Sequence, residues 1–145
     1  MAGAFTHFII SNVAKTKRSI IGAELWQMLN KNYRFLFLGS ASPDLPYLSL
    51  KTGEVNWADV MHYEKTNSIA EKGFIKLKSI WQVKTPADEV KLVWLFGYIS
   101  HLVADATIHP VVEAIVGPYQ GNEIKHRLCE MTQDSIIYNL QMKTE

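Results

Sequence analysis

His101, Asp105 and His109 follow one another at intervals of four in GYISHLVADATIHP, and His126, Glu130 and Asp134 repeat that interval in HRLCEMTQD. His62 closes WADVMH downstream of Asp44 in SASPDLP, and His7 stands near the start in AGAFTHF. A residue and its fourth neighbour share one face of an α-helix, so each triplet can aim its side chains at one point. Imidazole nitrogens and carboxylate oxygens are ligands that zinc accepts, and such sites also take manganese, iron or cobalt. All five histidines fall in these groups, and the chemistry they suggest is metal binding.

Rival readings differ from group to group. His101, Asp105 and His109 lie in a segment that is otherwise apolar, with Val93, Trp94, Leu95, Phe96, Leu102 and Val103 around them. A carboxylate buried between imidazoles is costly unless paired or bound to metal, so metal is the better reading there. The 126/130/134 set suits zinc, and equally a solvated helix face with ion pairs from Glu130 to His126 or Arg127. Asp134 is either a ligand or a partner that orients a ligating histidine. Asp44 between two prolines also suits a turn, and His62 a surface position. Cys129 points away from His126 and Glu130 on a helix and reads as a packed small residue. The four tryptophans read as core, with Trp57 close enough to His62 to line a pocket.

The elements that would position these groups are helical. Residues 7–31 carry a rough apolar stripe and read as one helix. YRFLFL at 33–38 suits a strand or a second helix, and the Pro-rich run from Gly39 to Glu54 is a loop. Residues 57–82 read as helical with a break near Gly73. Thr85-Pro86 followed by Asp88 and Glu89 opens a helix well, and Pro110 is expected to stop it after about Ala106. GPYQGN is a loop, and Asn122 opens a last helix from about 123 to 142. The expected fold is all-α, one compact domain over residues 1–145, a bundle of about five or six helices around a metal cluster.

Composition narrows the class. The chain has 145 residues, 48% hydrophobic and 20% charged, enough for one sizeable core. A formal net charge of +1 and no long basic run give no signature of long nucleic acids as partners. With one cysteine, no intrachain disulfide forms. The apolar stretch LVWLFGYISHLVA reads as too short for a membrane span, and the start of the sequence lacks a signal-peptide pattern, so the expectation is a cytoplasmic protein.

In order, THF, GSASPDLPYL, WADVMH, GYISHLVADATIHPVV and HRLCEMTQD resemble the zinc-dependent phospholipase C family and the related fungal single-strand-specific nucleases. The resemblance spans His7 to Asp134. It implies an all-helical protein holding up to three zinc ions. Asp44, His62, His101 and Asp105 would hold one, and His109, His126 and Glu130 a second. His7 would hold the third, with Asp105 bridging. In the family that third zinc also takes the free amino group of the first mature residue. This sequence departs from the pattern with Met-Ala-Gly-Ala-Phe-Thr-His, and removal of Met1 would offer Ala2 as that ligand. The implied activity is hydrolysis of a phospholipid or another phosphodiester, with Asp44 orienting or deprotonating the attacking water. Contact with a membrane surface would be transient. A zinc cluster suits this chemistry because it acidifies bound water and places charge near the phosphoryl oxygens. A nuclease or small-phosphoester hydrolase, and a zinc-stabilised module without turnover, remain the alternatives. No Gly-rich phosphate loop is present.

Overall fold

In the computed structural model, residues 3–51 and 53–142 are described, and these form helices with no strand. Eight α-helices follow in order: α1 Ala4–Thr16, α2 Arg18–Ile21, α3 Ala23–Lys31, α4 Tyr33–Ala41, α5 Val55–Asp59, α6 Ser68–Ile80, α7 Pro86–Val116 and α8 Glu123–Met142. The all-α expectation holds, but the count exceeds five or six because short helices interrupt the longer runs. The first expected helix is three. Gly22 sits at φ 82°, a conformation that L side chains avoid, and turns the chain between α2 and α3. YRFLFL is helical, not a strand, because its backbone forms α4 against α7.

The α4–α7 crossing is the centre of the fold. Gly39 and Gly97 let the two backbones meet. A Cβ on Gly97 would lie inside contact distance of the Leu36 carbonyl and 2.8 Å from the Ser40 nitrogen, and one on Gly39 would press on the carbonyl group of Trp94. Beside this crossing Met28, Leu29, Leu36 and Val93 form the buried apolar cluster, flanked by Ile21, Leu25, Phe37, Trp81, Leu92 and Phe96. Each such side chain contributes roughly 1.5–3 kcal/mol when fully buried. Trp57, expected in the core, is instead 64% exposed.

α7 begins where the sequence suggests. The Asp88 carboxylate accepts from the Thr85 N–H at 3.0 Å and from its hydroxyl at 2.8 Å. It does not end near Ala106. It continues through Pro110 to Val116 and stops at Gly117, φ 94°. Pro110 removes the hydrogen bond to Ala106, but both residues are exposed, so water can satisfy the freed carbonyl. By length and composition α7 would reach across a bilayer. Here it carries His101 and Asp105 on its buried side and packs against α1, α4, α6 and α8. The break expected near Gly73 falls earlier. A π-helical turn, Val60–Glu64, follows α5, and α6 then runs unbroken past Gly73.

Candidate metal centre

Asp105 is the hub. Its carboxylate lies 3.4 Å from His7 Nε2, 3.4 Å from His101 Nε2, 3.6 Å from His62 Nε2 and 3.9 Å from His109 Nε2. Asp44 reaches the same group from the loop after α4, with Oδ1 3.2 Å from His62 Nε2 and 3.8 Å from His101 Nε2. Two sets, His7/His101/Asp105 and Asp44/His62/His101, bring their ligand atoms within 4.8 Å of one another. The His7 and His101 rings stack with centroids 3.8 Å apart. His109 extends the cluster toward α8, 3.9 Å from Glu130 Oε1. His126 lies one helical turn before Glu130 on the same helix, and both are buried. Ala2 lies outside the described residues.

Each imidazole is aimed by its second nitrogen. A carbonyl only accepts, so the nitrogen facing it carries the proton. His62 Nδ1 donates to Ala58 O at 2.7 Å and His101 Nδ1 to Ser40 O at 2.8 Å. The two Nε2 atoms then face each other at 3.1 Å. With neither of them protonated, their lone pairs would repel unless a cation lay between or beside them. His126 is turned the other way, Nε2 donating to Gly117 O at 2.8 Å, which leaves Nδ1 as its ligand atom. Among the described residues, both ring nitrogens of His7, Oδ1 of Asp44 and Nε2 of His109 are buried without a hydrogen-bond partner. Orphaned polar atoms of this kind are costly, and bound cations would satisfy those that face the cluster. The donor set of imidazole and carboxylate fits zinc.

The electrostatics suit ligation. Burial, reinforced by the neighbouring His101, pushes His7 down to about 4, and burial also lowers His109. Both are neutral near pH 7, with lone pairs available. Burial opposes the charge on Asp105, but the hydrogen bond and charge of His101 outweigh it and hold the carboxyl well below the usual range. Burial raises Glu130. Burial alone would lower His62, yet the Asp44 carboxylate beside it and the Ala58 carbonyl reverse this and raise it.

Asp134 holds a structural position. Its carboxylate accepts from the Thr6 N–H at 2.7 Å, the Thr6 hydroxyl at 2.9 Å and the Phe5 N–H at 3.4 Å. It therefore caps the first turn of α1 from α8 and fixes the helix that carries His7, acting through backbone and not through an imidazole. Gly3 fits beside it because a Cβ there would enter the Asp134 side chain. Asp134→Ala is expected to lower stability by about 1–2 kcal/mol, the usual cost of losing a cap, and to weaken metal retention. Thermal melting with and without chelator checks both effects.

Three contributors were missed by sequence reasoning. The Tyr47 hydroxyl donates to Asp59 Oδ1 at 2.9 Å, tying the segment after Asp44 to the helix before His62. Tyr47 follows Asp44 by three residues and Asp59 precedes His62 by three, a symmetry that could have drawn attention. Ser40 acts through its carbonyl, which no side-chain pattern reveals. The π-turn that carries His62 leaves no mark in the sequence either.

A model of the family described as zinc dependent phospholipase C matches residues 6–145. No curated protein and no solved structure matches the chain.

Proposed function

The chain belongs to the zinc-dependent phospholipase C family, and we propose that it is a metal-dependent hydrolase that cleaves the head-group phosphodiester of a phospholipid with an activated water. The observation that supports this reading best is the meeting of His62 Nε2 and His101 Nε2 at 3.1 Å, flanked by Asp44 and Asp105. Asp44, His62, His101 and Asp105 would hold one zinc, His109, His126 and Glu130 a second, and His7 with Asp105 a third. Removal of Met1 would let the amino group of Ala2 join the third set.

Zinc supplies acidified water and positive charge for the phosphoryl oxygens. The residues of the chain position and exclude. His7 and His101 close the floor of the site, fully buried. Asp44 and His109 are its open side, with side chains 25% and 28% exposed. Asp44 is therefore the carboxylate that an entering water meets, and it orients that water and takes its proton.

Elemental analysis of the purified chain with its N-terminus trimmed at Met1, paired with hydrolysis of a chromogenic phosphodiester, tests this. Close to three zinc ions per chain and turnover that chelator removes and zinc restores are expected. Metal without turnover would leave a zinc-stabilised binding module, and absence of metal would overturn both readings. Comparing phospholipid with single-stranded oligonucleotide on the same sample separates a lipase from a nuclease.

A further inference from the structure

His62 is a buried imidazole on a thinly packed support. Its side chain is 2% exposed, yet Trp57 and Tyr63 on either side of it in the chain are 64% and 54% exposed. Within residues 53–65, Ala58 is the one fully buried residue. A segment with so few buried apolar contacts opens locally at small cost. A metal ligand needs the opposite, a ring held at fixed distance and orientation. Apolar packing therefore does not account for the placement of His62.

Hydrogen bonds inside the segment are local. His62 Nδ1 donates to Ala58 O, the Thr66 hydroxyl donates to His62 O at 2.9 Å, and the Lys65 N–H closes the π-turn on Val60 O at 2.8 Å. They orient the ring within its own turn but do not place that turn against Asp44, His101 and Asp105. Tyr47 reaches across this gap. Its hydroxyl donates to Asp59 Oδ1 at 2.9 Å, and its ring lies 5.6 Å from the His62 ring, tilted by 37°. Tyr47 sits on the short helical turn Leu45–Leu48 that follows Asp44, and Asp59 ends α5 just before the π-turn. One side chain thus bridges the carriers of Asp44 and His62, whose atoms meet at 3.2 Å. Both partners are half-buried, and the acceptor is a carboxylate, which makes the bond one of the stronger kind. Ser49 and Lys51 also reach this segment, at Glu54, but on the exposed surface and well before His62.

We propose that Tyr47 is a positioning residue: through Asp59 it holds His62 at ligand distance from Asp44, and so sets the affinity of the metal set that these two share with His101 and Asp105. Its hydroxyl is spent on Asp59, so it acts through that carboxylate and not on the metal. This role rests on the metal-centre reading, and not on which phosphodiester is cleaved.

The test is titration of the metal-stripped full chain with cobalt(II) and with zinc, for the parent, Tyr47→Phe, Asp59→Ala, Asp59→Asn and the double variant Tyr47→Phe with Asp59→Ala. Phenylalanine keeps the ring against His62 and removes only the hydrogen bond. Tyr47→Phe and Asp59→Ala should each weaken one of the bound ions by about 10–100-fold, the usual effect of losing a group that orients a ligand. Each should also shift the visible cobalt bands, which follow ligand geometry. The double variant should bind no worse than either single one, because both changes remove the same bond. Asp59→Asn still offers an oxygen to the phenol and should bind nearly as the parent does. Tyr47→Phe with the affinities and bands of the parent would overturn the proposal, even with a lower metal-free melting temperature, since that pattern belongs to a brace of the fold alone. Asp59→Asn as weak as Asp59→Ala would overturn it as well. A parent that takes up neither metal would overturn the metal centre itself, so the two failures are told apart.

Discussion

Asp105→Ala should leave a protein whose melting responds far less to zinc. The carboxylate touches the imidazoles of four histidines drawn from α1, the π-turn and α7, and its removal takes a ligand from two of the three proposed sets, leaving only His109, His126 and Glu130 complete. In the parent chain, zinc at one hundred times its dissociation constant should add about 2.7 kcal/mol, which moves the melting temperature of a domain this size by roughly 5–10 °C. Chelator should cancel that shift in the parent and have a much smaller effect on the variant. Hydrolysis should fall to background. A variant that gains as much stability from zinc as the parent would mean that Asp105 is not the hub of the metal centre. Without metal the variant should still be less stable than the parent at neutral pH, because it loses the pairing with His101 that outweighs the burial of the carboxylate.

The second large effect lies away from any ligand. Gly97→Ala should cost on the order of 3 kcal/mol or more, because the added methyl meets the backbone of Leu36 and Ser40, which cannot step aside as a side chain would. In an exposed helix the same substitution gains up to about 1 kcal/mol. Gly73→Ala is the internal comparison. Its Cβ would meet the end of the Leu95 side chain at 3.1 Å, which can rotate away, so the net change there should be small. Gly97→Ala should also weaken metal binding. Pushing α4 from α7 stretches the bond from His101 to the Ser40 carbonyl that fixes the imidazole. Melting curves and zinc titration of both variants read the contrast directly.

Much of this arrangement was legible from residue types. The interval of four placed His101, Asp105 and His109 on one helix face, and the structure puts all three around one point. Thr85-Pro86 and Asp88 marked the start of α7 because the capping chemistry is local. The misreadings have a common cause. Pro110 is accommodated where the carbonyl it frees is open to water, and exposure is a tertiary property. Gly22 and Gly73 look alike in sequence, yet one takes a positive φ and the other sits inside a helix beside Leu95. Asp134 shared the spacing of its neighbours but was drawn to the helix terminus of α1, a partner that periodicity within α8 does not reveal. The backbone carbonyls of Ser40, Ala58 and Gly117, which aim three of the imidazoles, leave no trace in a side-chain pattern.

The tie between Asp134 and Thr6 joins positions 128 residues apart. Closing so long a loop costs chain entropy that grows with the logarithm of its length, and the ends meet only after the intervening helices have settled. A cation held by His7 and Asp105 would tie α1 to α7 and stabilise the folded state by binding it in preference to the unfolded chain. Amide exchange in α1 should therefore slow far more on zinc addition than exchange in α4, whose contacts with α7 close a shorter loop.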